Sequence, residues 1–202
     1  MLINRRQIIS AAALLATAPP PALAAPSKAQ WVVGTIPDTP YDIALMDMNL
    51  VPPQFRRQMV AYDGPEPPGT LVVDPAQRFL YWVQAKGAAL RFGTAVGREG
   101  AAWHGQAVVG RKAKWPSWTP TPNMRLKNPA LPVTMKGGPA NPLGARALYL
   151  YKDGRDTLYR IHGTNEPGSI GKNASSGCIR MFNECIFELF AEVPVGTRVV
   201  VR

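Results

Sequence analysis

TLVVDPAQRFLYWVQ, the stretch from Thr70 to Gln84, decides the fold class of this 202-residue chain. Two runs rich in Val, Phe, Tyr and Trp, Thr70–Asp74 and Arg78–Gln84, flank the turn signal Pro75-Ala76-Gln77. β-Branched and aromatic residues favour strands, and two short runs on either side of a turn are typical of a hairpin. The stretch therefore predicts two paired strands.

Runs of the same kind continue towards the C-terminus. Lys152-Asp153-Gly154 predicts a second hairpin turn, because Asp and Gly tolerate the backbone conformation that a tight turn needs. The pattern predicts further strands at Ala89–Gly97, Leu148–Tyr151, Leu158–His162 and Thr197–Val201.

One helix is predicted after these runs. Asn183 is its expected N-cap, and Pro194 ends it. Four apolar residues recur at i, i+3, i+4 and i+7 and so share one helical face: Ile186, Leu189, Phe190 and Val193. Together these elements predict a mainly β domain, a small β-sandwich or barrel-like fold with one helix and long loops rich in Pro and Gly.

Two segments are expected to lie outside the regular elements. The longest loop is predicted between Lys112 and Arg146, and long loops in a compact domain are often lids or binding loops. Residues 25–65 are polar and proline-rich, so we expect an extension that packs on the main domain, with a short helix near Gln54–Met59.

The first 24 residues have the pattern of a signal peptide. Arg5-Arg6 precede an apolar run from Ile8 to Ala18, and Ala22-Leu23-Ala24 has the small-x-small pattern of a cleavage site. The apolar run is shorter than the ~20 residues that a bilayer span needs. The paired arginines resemble a twin-arginine export signal, with an ordinary secretory signal as the alternative. The sequence predicts an exported protein of the periplasm or cell envelope, without a transmembrane span in its mature form.

The charge of the chain favours anionic partners. Its formal charge is +10, and the signal segment contains two arginines and no acidic residue, so the mature chain stays strongly basic. A basic exported protein is expected to bind anionic polymers or lipid surfaces, and peptidoglycan stems carry free carboxylates. Nucleic acid is not an expected partner, because exported proteins rarely meet it. A high pI that serves only solubility is the alternative interpretation.

The stretch IHGTNEPGSIGKNASSGCIRMFNEC, from Ile161 to Cys185, carries the residues suited to catalysis. His162 ends a predicted strand, a glycine-rich connection follows, and Cys178 is preceded by Gly177. A free thiol with a pKa of about 8.5 is only ~3% ionised at pH 7, so a cysteine nucleophile needs help from a base or from backbone N–H groups. The N–H groups near Gly177 and Cys178 are suited to form an oxyanion hole, since glycine lets the backbone approach a carbonyl closely.

This constellation resembles the L,D-transpeptidase catalytic domain of the YkuD type. The family pattern is a His-Gly pair, an intervening loop, and then Ser-x-Gly-Cys-[Ile/Val]-Arg. The resemblance covers about residues 66–202, which we expect to be the catalytic domain behind the signal peptide (1–24) and the extension (25–65). The matching residues are His162-Gly163-Thr164-Asn165, Ser169-Ile170-Gly171, Ser175 to Met181, Asn183 and Val195-Gly196-Thr197, with Pro116–Pro120 and Asn141–Gly144 similar to the exported branch.

The resemblance implies a cysteine acyltransferase that acts on peptidoglycan stem peptides without a cofactor or metal. Cys178 would attack the carbonyl between an L-centre and a terminal D-residue of a donor stem, and an acceptor amine would resolve the thioester. His162 would activate Cys178, with Gly163, Ser176 and Gly177 as the orienting and oxyanion residues. Arg180 would position carboxylates or brace the loop.

Two residues depart from the family pattern. Many members have histidine where this chain has Ser176, so any role of a second imidazole there is lost. Cys185 stands where members usually have aspartate, and its function is unexplained.

Several alternatives remain open at this point. Cys178 and Cys185 could form a disulfide in an oxidising compartment. A zinc site built from both cysteines, His162 and His104 would lack the usual paired ligand spacing. With water as acceptor, the same site would make an L,D-carboxypeptidase or a hydrolase of existing wall links. An envelope protein could replace a second stem as acceptor, and a non-catalytic wall-binding module is the alternative from another class.

Overall fold

The structure is a computed structural model that describes residues 26–85, 87–97, 103–174 and 177–202. The predicted signal peptide lies outside the described residues, as do Ser175 and Ser176 in the cysteine loop. Within the described ranges, no helix is long and apolar enough to cross a membrane.

Strands dominate the described residues, which confirms the prediction of a mainly β domain. Helix α1 spans Pro122–Lys127 and α2 spans Asn183–Glu192, and 3-10 turns occur at Lys28–Trp31, Met48–Leu50, Pro53–Phe55 and Pro167–Ser169. The strands are β1 Val32–Ile36, β2 Ile43–Met46, β3 Gln58–Ala61, β4 Leu71–Asp74, β5 Phe79–Gln84, β6 Ala88–Gly93, β7 Ala95–Gly97, β8 Gly105–Lys114, β9 Arg146–Lys152, β10 Arg155–His162, β11 Asn173–Ala174, β12 Ile179–Arg180 and β13 Arg198–Val201.

Eleven of these strands form one mixed sheet. Their order is β11-β7-β12-β10-β9-β8-β13-β4-β5-β6-β3, whereas β1 and β2 pair with each other in a separate hairpin. Strands β6 and β7 lie near opposite edges of the sheet, yet only Thr94 separates them in sequence. Since consecutive Cα atoms are about 3.8 Å apart, the sheet must curl until its two ends meet. The result is a barrel-like shape.

The curled sheet encloses the main hydrophobic core and leaves a second face for chemistry. Leu148 and Leu150 of β9 and Ile161 of β10 pack with Ile186 and Leu189 of α2 in one buried cluster. Because side chains alternate across a strand, the intervening residues of β9 and β10 point to the opposite face. We call this opposite face of β8, β9, β10 and β12 the site face.

Three sequence expectations are corrected by the structure. The predicted strand Ala89–Gly97 is two strands, and β8 continues to Lys114, so the long loop begins later than expected. That loop also contains α1, which Thr121 caps through its Oγ1. The helix expected near Gln54–Met59 is wrong: a 3-10 turn precedes β3, and pairing of β3 with the exposed edge of β6 replaces helical hydrogen bonds.

Asn183 was predicted as the N-cap of the helix, and this assignment is also wrong. Phe182 occupies the N-cap position, and Asn183 is the first residue of α2. The side chain of Asn183 instead forms hydrogen bonds to residues from two other parts of the chain.

Candidate active site

Cys178 and His162 are brought to adjacent strands on the site face. β10 pairs in parallel with β12, with His162 opposite Arg180, and the Met181 N–H donates to the His162 carbonyl at 2.8 Å. Cys178 directly precedes β12 and so comes beside Arg160 of β10. Since alternate residues of a strand share a face, the imidazole, the thiol and both guanidinium groups lie on one side of the sheet.

The His162 ring is held rigidly and is uncharged. The residue is 2% exposed, and its Nδ1 lies 2.6 Å from the carbonyl oxygen of Gly163. A carbonyl oxygen only accepts, so Nδ1 carries the hydrogen and Nε2 keeps its lone pair. Burial lowers the pKa of His162 to about 3; the Gly163 carbonyl opposes this shift, and the charges of Arg180 and Arg160 add to it. The ring is therefore a neutral base at physiological pH.

The Cys178 thiol is partly buried and protonated. Its Sγ lies 3.9 Å from the Leu158 carbonyl oxygen. Burial raises the pKa of the thiol, while the positive charge of Arg160 acts in the opposite direction. Among the described residues, no hydrogen bond joins Sγ to the His162 ring in this conformation. Such bonds often form only when substrate is bound.

Asn183 fastens the loop that positions His162. Its Oδ1 accepts from the N–H groups of Ala145 at 3.1 Å and Thr164 at 3.2 Å, and its Nδ2 donates to the Thr164 carbonyl at 2.9 Å. Thr164 follows Gly163, whose carbonyl contacts the imidazole. One side chain at the start of α2 thus ties together the segment before β9 and the segment after β10.

The close packing of the Asn183 side chain explains why positions 144 and 163 are glycine. A Cβ on Gly163 would lie 2.1 Å from Asn183 Oδ1, and a Cβ on Gly144 would lie 2.2 Å from the same atom. Gly144 also has a φ of +64°, where residues with a side chain are strained. Any side chain at either position would push Asn183 away from the loop that it holds.

Arg180 is held on the other side of the same loop. Its Nη1 lies 3.0 Å from Glu166 Oε2, and only 11% of its side chain is exposed. Gly177 lies partly buried directly before Cys178. Ser176, which sequence reasoning grouped with the orienting and oxyanion residues, lies outside the described residues.

A known protein family matches most of the chain. The profile of the YkuD L,D-transpeptidase catalytic domain matches residues 68–201 and includes Cys178 and His162. The chain belongs to this family. Its members act on peptidoglycan, and the relatives named below also bear the name L,D-transpeptidase.

Two relatives show how far the similarity extends. ErfK/SrfK of Escherichia coli K12, named a probable L,D-transpeptidase, is 49% identical over 96 residues, which are 46% of this chain and 29% of the relative. ORF 5 of the ATP synthase subunits region of Fuscovulum blasticum, provisionally named an L,D-transpeptidase, is 41% identical over 131 residues, 64% of this chain and 67% of the relative. The chain therefore spans less than a third of the first relative and about two thirds of the second.

A solved structure from Brucella melitensis matches a larger share of the chain. It is described as a probable carnitine operon oxidoreductase, is 45% identical, and superposes with a TM-score of 0.52 over 77% of this chain and 99% of the other. That name places the Brucella protein in a different enzyme class from the relatives above.

The disulfide and zinc alternatives are not supported by the geometry of this family member. Both cysteines are free thiols, and Cys185 is buried in the core on the α2 side of the sheet. His104 is exposed directly before β8. The β8 residue in register with Ala147 and His162 is Ala113, near the other end of that strand. At about 3.3 Å per residue, His104 lies roughly 30 Å along the strand from Ala113, and is therefore far from His162. In the described part of the chain, no three metal-ligating side chains form a group.

Sequence reasoning gave no part in the candidate site to two residues that the structure places there. Arg160 lies two positions before His162 in the same predicted strand, so strand alternation alone would have placed both on one face. Asn183 was noted as an N-cap and as part of the family resemblance, but its role in holding the loop was not predicted, because its partners Ala145 and Thr164 are distant in sequence.

Proposed function

We propose that this chain is an L,D-transpeptidase of peptidoglycan, with Cys178 as nucleophile and His162 as general base. The observation that carries the proposal is the pairing of β10 with β12, which sets a neutral imidazole fixed by the Gly163 carbonyl on the same face as the thiol. The matching family profile supports the same reaction class.

The first half of the reaction makes a thioester. The Cys178 side chain turns from the Leu158 carbonyl towards His162, whose Nε2 takes the thiol proton as Sγ attacks the carbonyl before the terminal D-residue. The tetrahedral intermediate collapses when its C–N bond breaks, and His162 returns the proton to the leaving amine. The free D-amino acid departs, and the acyl group stays on Sγ. A thiol that begins protonated next to a neutral base suits this concerted sequence.

The second half transfers the acyl group. An acceptor amine attacks the thioester carbonyl, His162 takes the proton of the attacking nitrogen, and the C–S bond breaks. The same proton restores the Cys178 thiol. The N–H groups near Gly177 and Cys178 would stabilise the oxyanion in both halves, and Arg180 would brace the cysteine loop or position a substrate carboxylate.

The cellular setting follows from the sequence. The signal-peptide pattern of residues 1–24 and the basic charge favour export to the periplasm or cell envelope, where peptidoglycan stems are the substrates. The acceptor is another stem peptide in the simplest form of the proposal. An envelope protein or water as acceptor would change the product but not the roles of Cys178 and His162.

A β-lactam of the carbapenem class tests the acylating cysteine. The strained lactam carbonyl stands in for the donor carbonyl: Sγ bonds to it, the lactam C–N bond breaks, and the thiol proton ends on the ring nitrogen. Intact-mass measurement should therefore show a gain of one whole carbapenem per chain. Cys178→Ala should show none, whereas Cys185→Ala should react like the wild type. No adduct on folded, reduced wild-type protein would contradict the proposal.

A further inference from the structure

Two arginines converge on one tyrosine beside the proposed nucleophile. Arg111 of β8 and Arg160 of β10 are both register partners of Tyr149 on β9. The guanidinium carbons lie 3.5 Å and 4.6 Å from the centroid of the Tyr149 ring, within the range of cation–π contact. We call these three residues the arginine–tyrosine row. Tyr149 is only 6% exposed, so the row presents guanidinium groups rather than the ring.

The row ends at the Cys178 thiol. Arg160 Nη1 donates to the Leu158 carbonyl oxygen, the same oxygen that lies 3.9 Å from Cys178 Sγ. The Arg160 guanidinium and the Cys178 thiol therefore both lie next to the same carbonyl oxygen. The mechanism proposed above uses neither Arg160 nor Arg111.

A β-bulge fixes this arrangement. The register of β10 shifts between Asp156 and Arg160, and Leu158 within the bulge has a φ of +64°. The Leu158 N–H donates to Asp156 Oδ1 at 2.8 Å, which holds the bulge in shape. Bulges often re-aim side chains next to active sites. Here the bulge points the Leu158 carbonyl at both Arg160 and Cys178.

The row has more positive than negative charge. Asp156 Oδ2 lies 3.3 Å from Arg160 Nη2, and this is the acidic group that pairs with the row. Arg111 is exposed, and no acidic side chain of the described residues lies within 4 Å of it. Two guanidinium groups facing one carboxylate leave capacity for a further anion.

We propose that Arg160 binds the terminal carboxylate of the donor peptide, with Arg111 adding positive charge behind it. This inference rests on the proposed function. In a donor that is cut before its last D-residue, the terminal carboxylate lies one residue, about 3.8 Å, beyond the scissile carbonyl. When Sγ contacts that carbonyl, the carboxylate falls among the groups that border Sγ. The planar fork of arginine matches a carboxylate, so Arg160 selects donors whose scissile bond precedes a free chain end.

Two matched donor peptides test this site. One ends in a free D-residue carboxylate and the other in the carboxamide of the same residue, and the readout is the rate of thioester formation on Cys178. Wild-type protein should prefer the carboxylate donor by about tenfold or more, as for a charge-assisted pair. Arg160→Gln should bring the ratio of the two rates close to one. Arg155→Gln, at the exposed start of the same strand, should keep the wild-type ratio.

The ratio separates recognition from general damage. Misfolding, or a changed thiol pKa after loss of Arg160, would slow both donors alike and leave the ratio at its wild-type value. That result would overturn the proposal, as would a wild-type enzyme that treats the two donors equally.

A binding measurement separates this proposal from the proposed function. Calorimetric titration of Cys178→Ala with both peptides should show tighter binding of the carboxylate form, and adding Arg160→Gln should abolish the difference. If the wild type forms no thioester but this binding difference appears, the proposed reaction is wrong and the carboxylate site stands. If thioester forms and no binding difference appears, the carboxylate site is wrong and the reaction stands.

Discussion

At the scale of single residues, the protonation states of His162 and Cys178 determine how the nucleophile is made. A buried neutral ring and a protonated thiol indicate proton transfer during attack rather than a standing ion pair. General-base assistance contributes roughly 10²–10⁴ in rate. We therefore expect His162→Ala to slow acylation by a carbapenem at least about 100-fold, in stopped-flow or intact-mass kinetics. His104→Ala is the control and should stay within a few-fold of wild type; the reverse pattern would place the base elsewhere.

Burial of His162 also makes stability depend on pH. The unfolded chain takes up a proton near the ordinary histidine pKa of about 6.5, whereas the folded chain does so only near 3. Between these values only the unfolded state is protonated, so stability is full above about pH 6.5 and is lost as pH falls towards 3. One such group contributes a slope of up to about 1.4 kcal/mol per pH unit.

Denaturant unfolding at pH 7 and pH 5 measures this effect. Wild-type protein should lose more stability between the two pH values than His162→Gln, which has no titrating ring. Equal losses in the two proteins would mean that the imidazole is solvated in the folded state.

At the scale of elements, the start of α2 organises the histidine loop through Asn183. Replacing it with alanine would leave two N–H groups and one carbonyl without their partner, each costing about 1–3 kcal/mol when buried. We expect Asn183→Ala to lower both the melting temperature and the acylation rate. Asn165→Ala, which removes a single exposed bond to the Ala140 carbonyl, should change neither. Wild-type acylation by a folded Asn183→Ala protein would refute a positioning role.

The β1–β2 hairpin is tied to the same loop by a buried ion pair. Asp38 Oδ2 lies 2.7 Å from Arg146 Nη1 and 2.8 Å from Trp115 Nε1, and the Arg146 side chain is 1% exposed. This pairing lowers the pKa of Asp38 to about 2. The Arg146 carbonyl accepts the Gly163 N–H at 3.0 Å. The hairpin, which lies outside the matched family profile, thus stabilises the strand end that carries His162.

Breaking this ion pair should cost far more than breaking an exposed one. Removing one partner of a buried pair typically costs about 3–5 kcal/mol, against about 0–1 kcal/mol for a surface pair. We expect Asp38→Ala to lower the free energy of unfolding, measured with denaturant, by close to about 3–5 kcal/mol. Arg57→Ala, which breaks the exposed pair with Glu188, should lower it by only about 0–1 kcal/mol. Similar small losses in both variants would mean that the hairpin is not needed for stability.

At the scale of the whole molecule, the sequence predicted what depends on local pattern. Short runs rich in β-branched and aromatic residues predicted β4, β5, β9, β10 and β13, and the apolar spacing predicted α2. The two-residue strands β11 and β12 carry no periodic signal, because their only basis is pairing with β7 and β10. The closure of the sheet likewise depends on contacts between distant segments.

The candidate site likewise has residues that a local motif predicted and contacts that depend on distant segments. Cys178 and His162 were found from a local motif, and their common face follows from the parallel register that the structure supplies. Asn183 was assigned to the wrong role because its partners come from two other loops. The contact of Arg160 with the Leu158 carbonyl depends on a bulge whose positive φ at a leucine no sequence rule indicates.

The most direct test of Cys178-dependent acyl transfer is mass spectrometry of defined muropeptides after incubation with the mature protein. We expect a cross-linked product that has lost one terminal D-amino acid, formed by wild type and by Cys185→Ala and absent with Cys178→Ala. A Cys178→Ala protein that still forms this product beside an inactive Cys185→Ala would contradict the assignment of the nucleophile. A wild type that only releases the D-amino acid would contradict transfer to a second stem peptide.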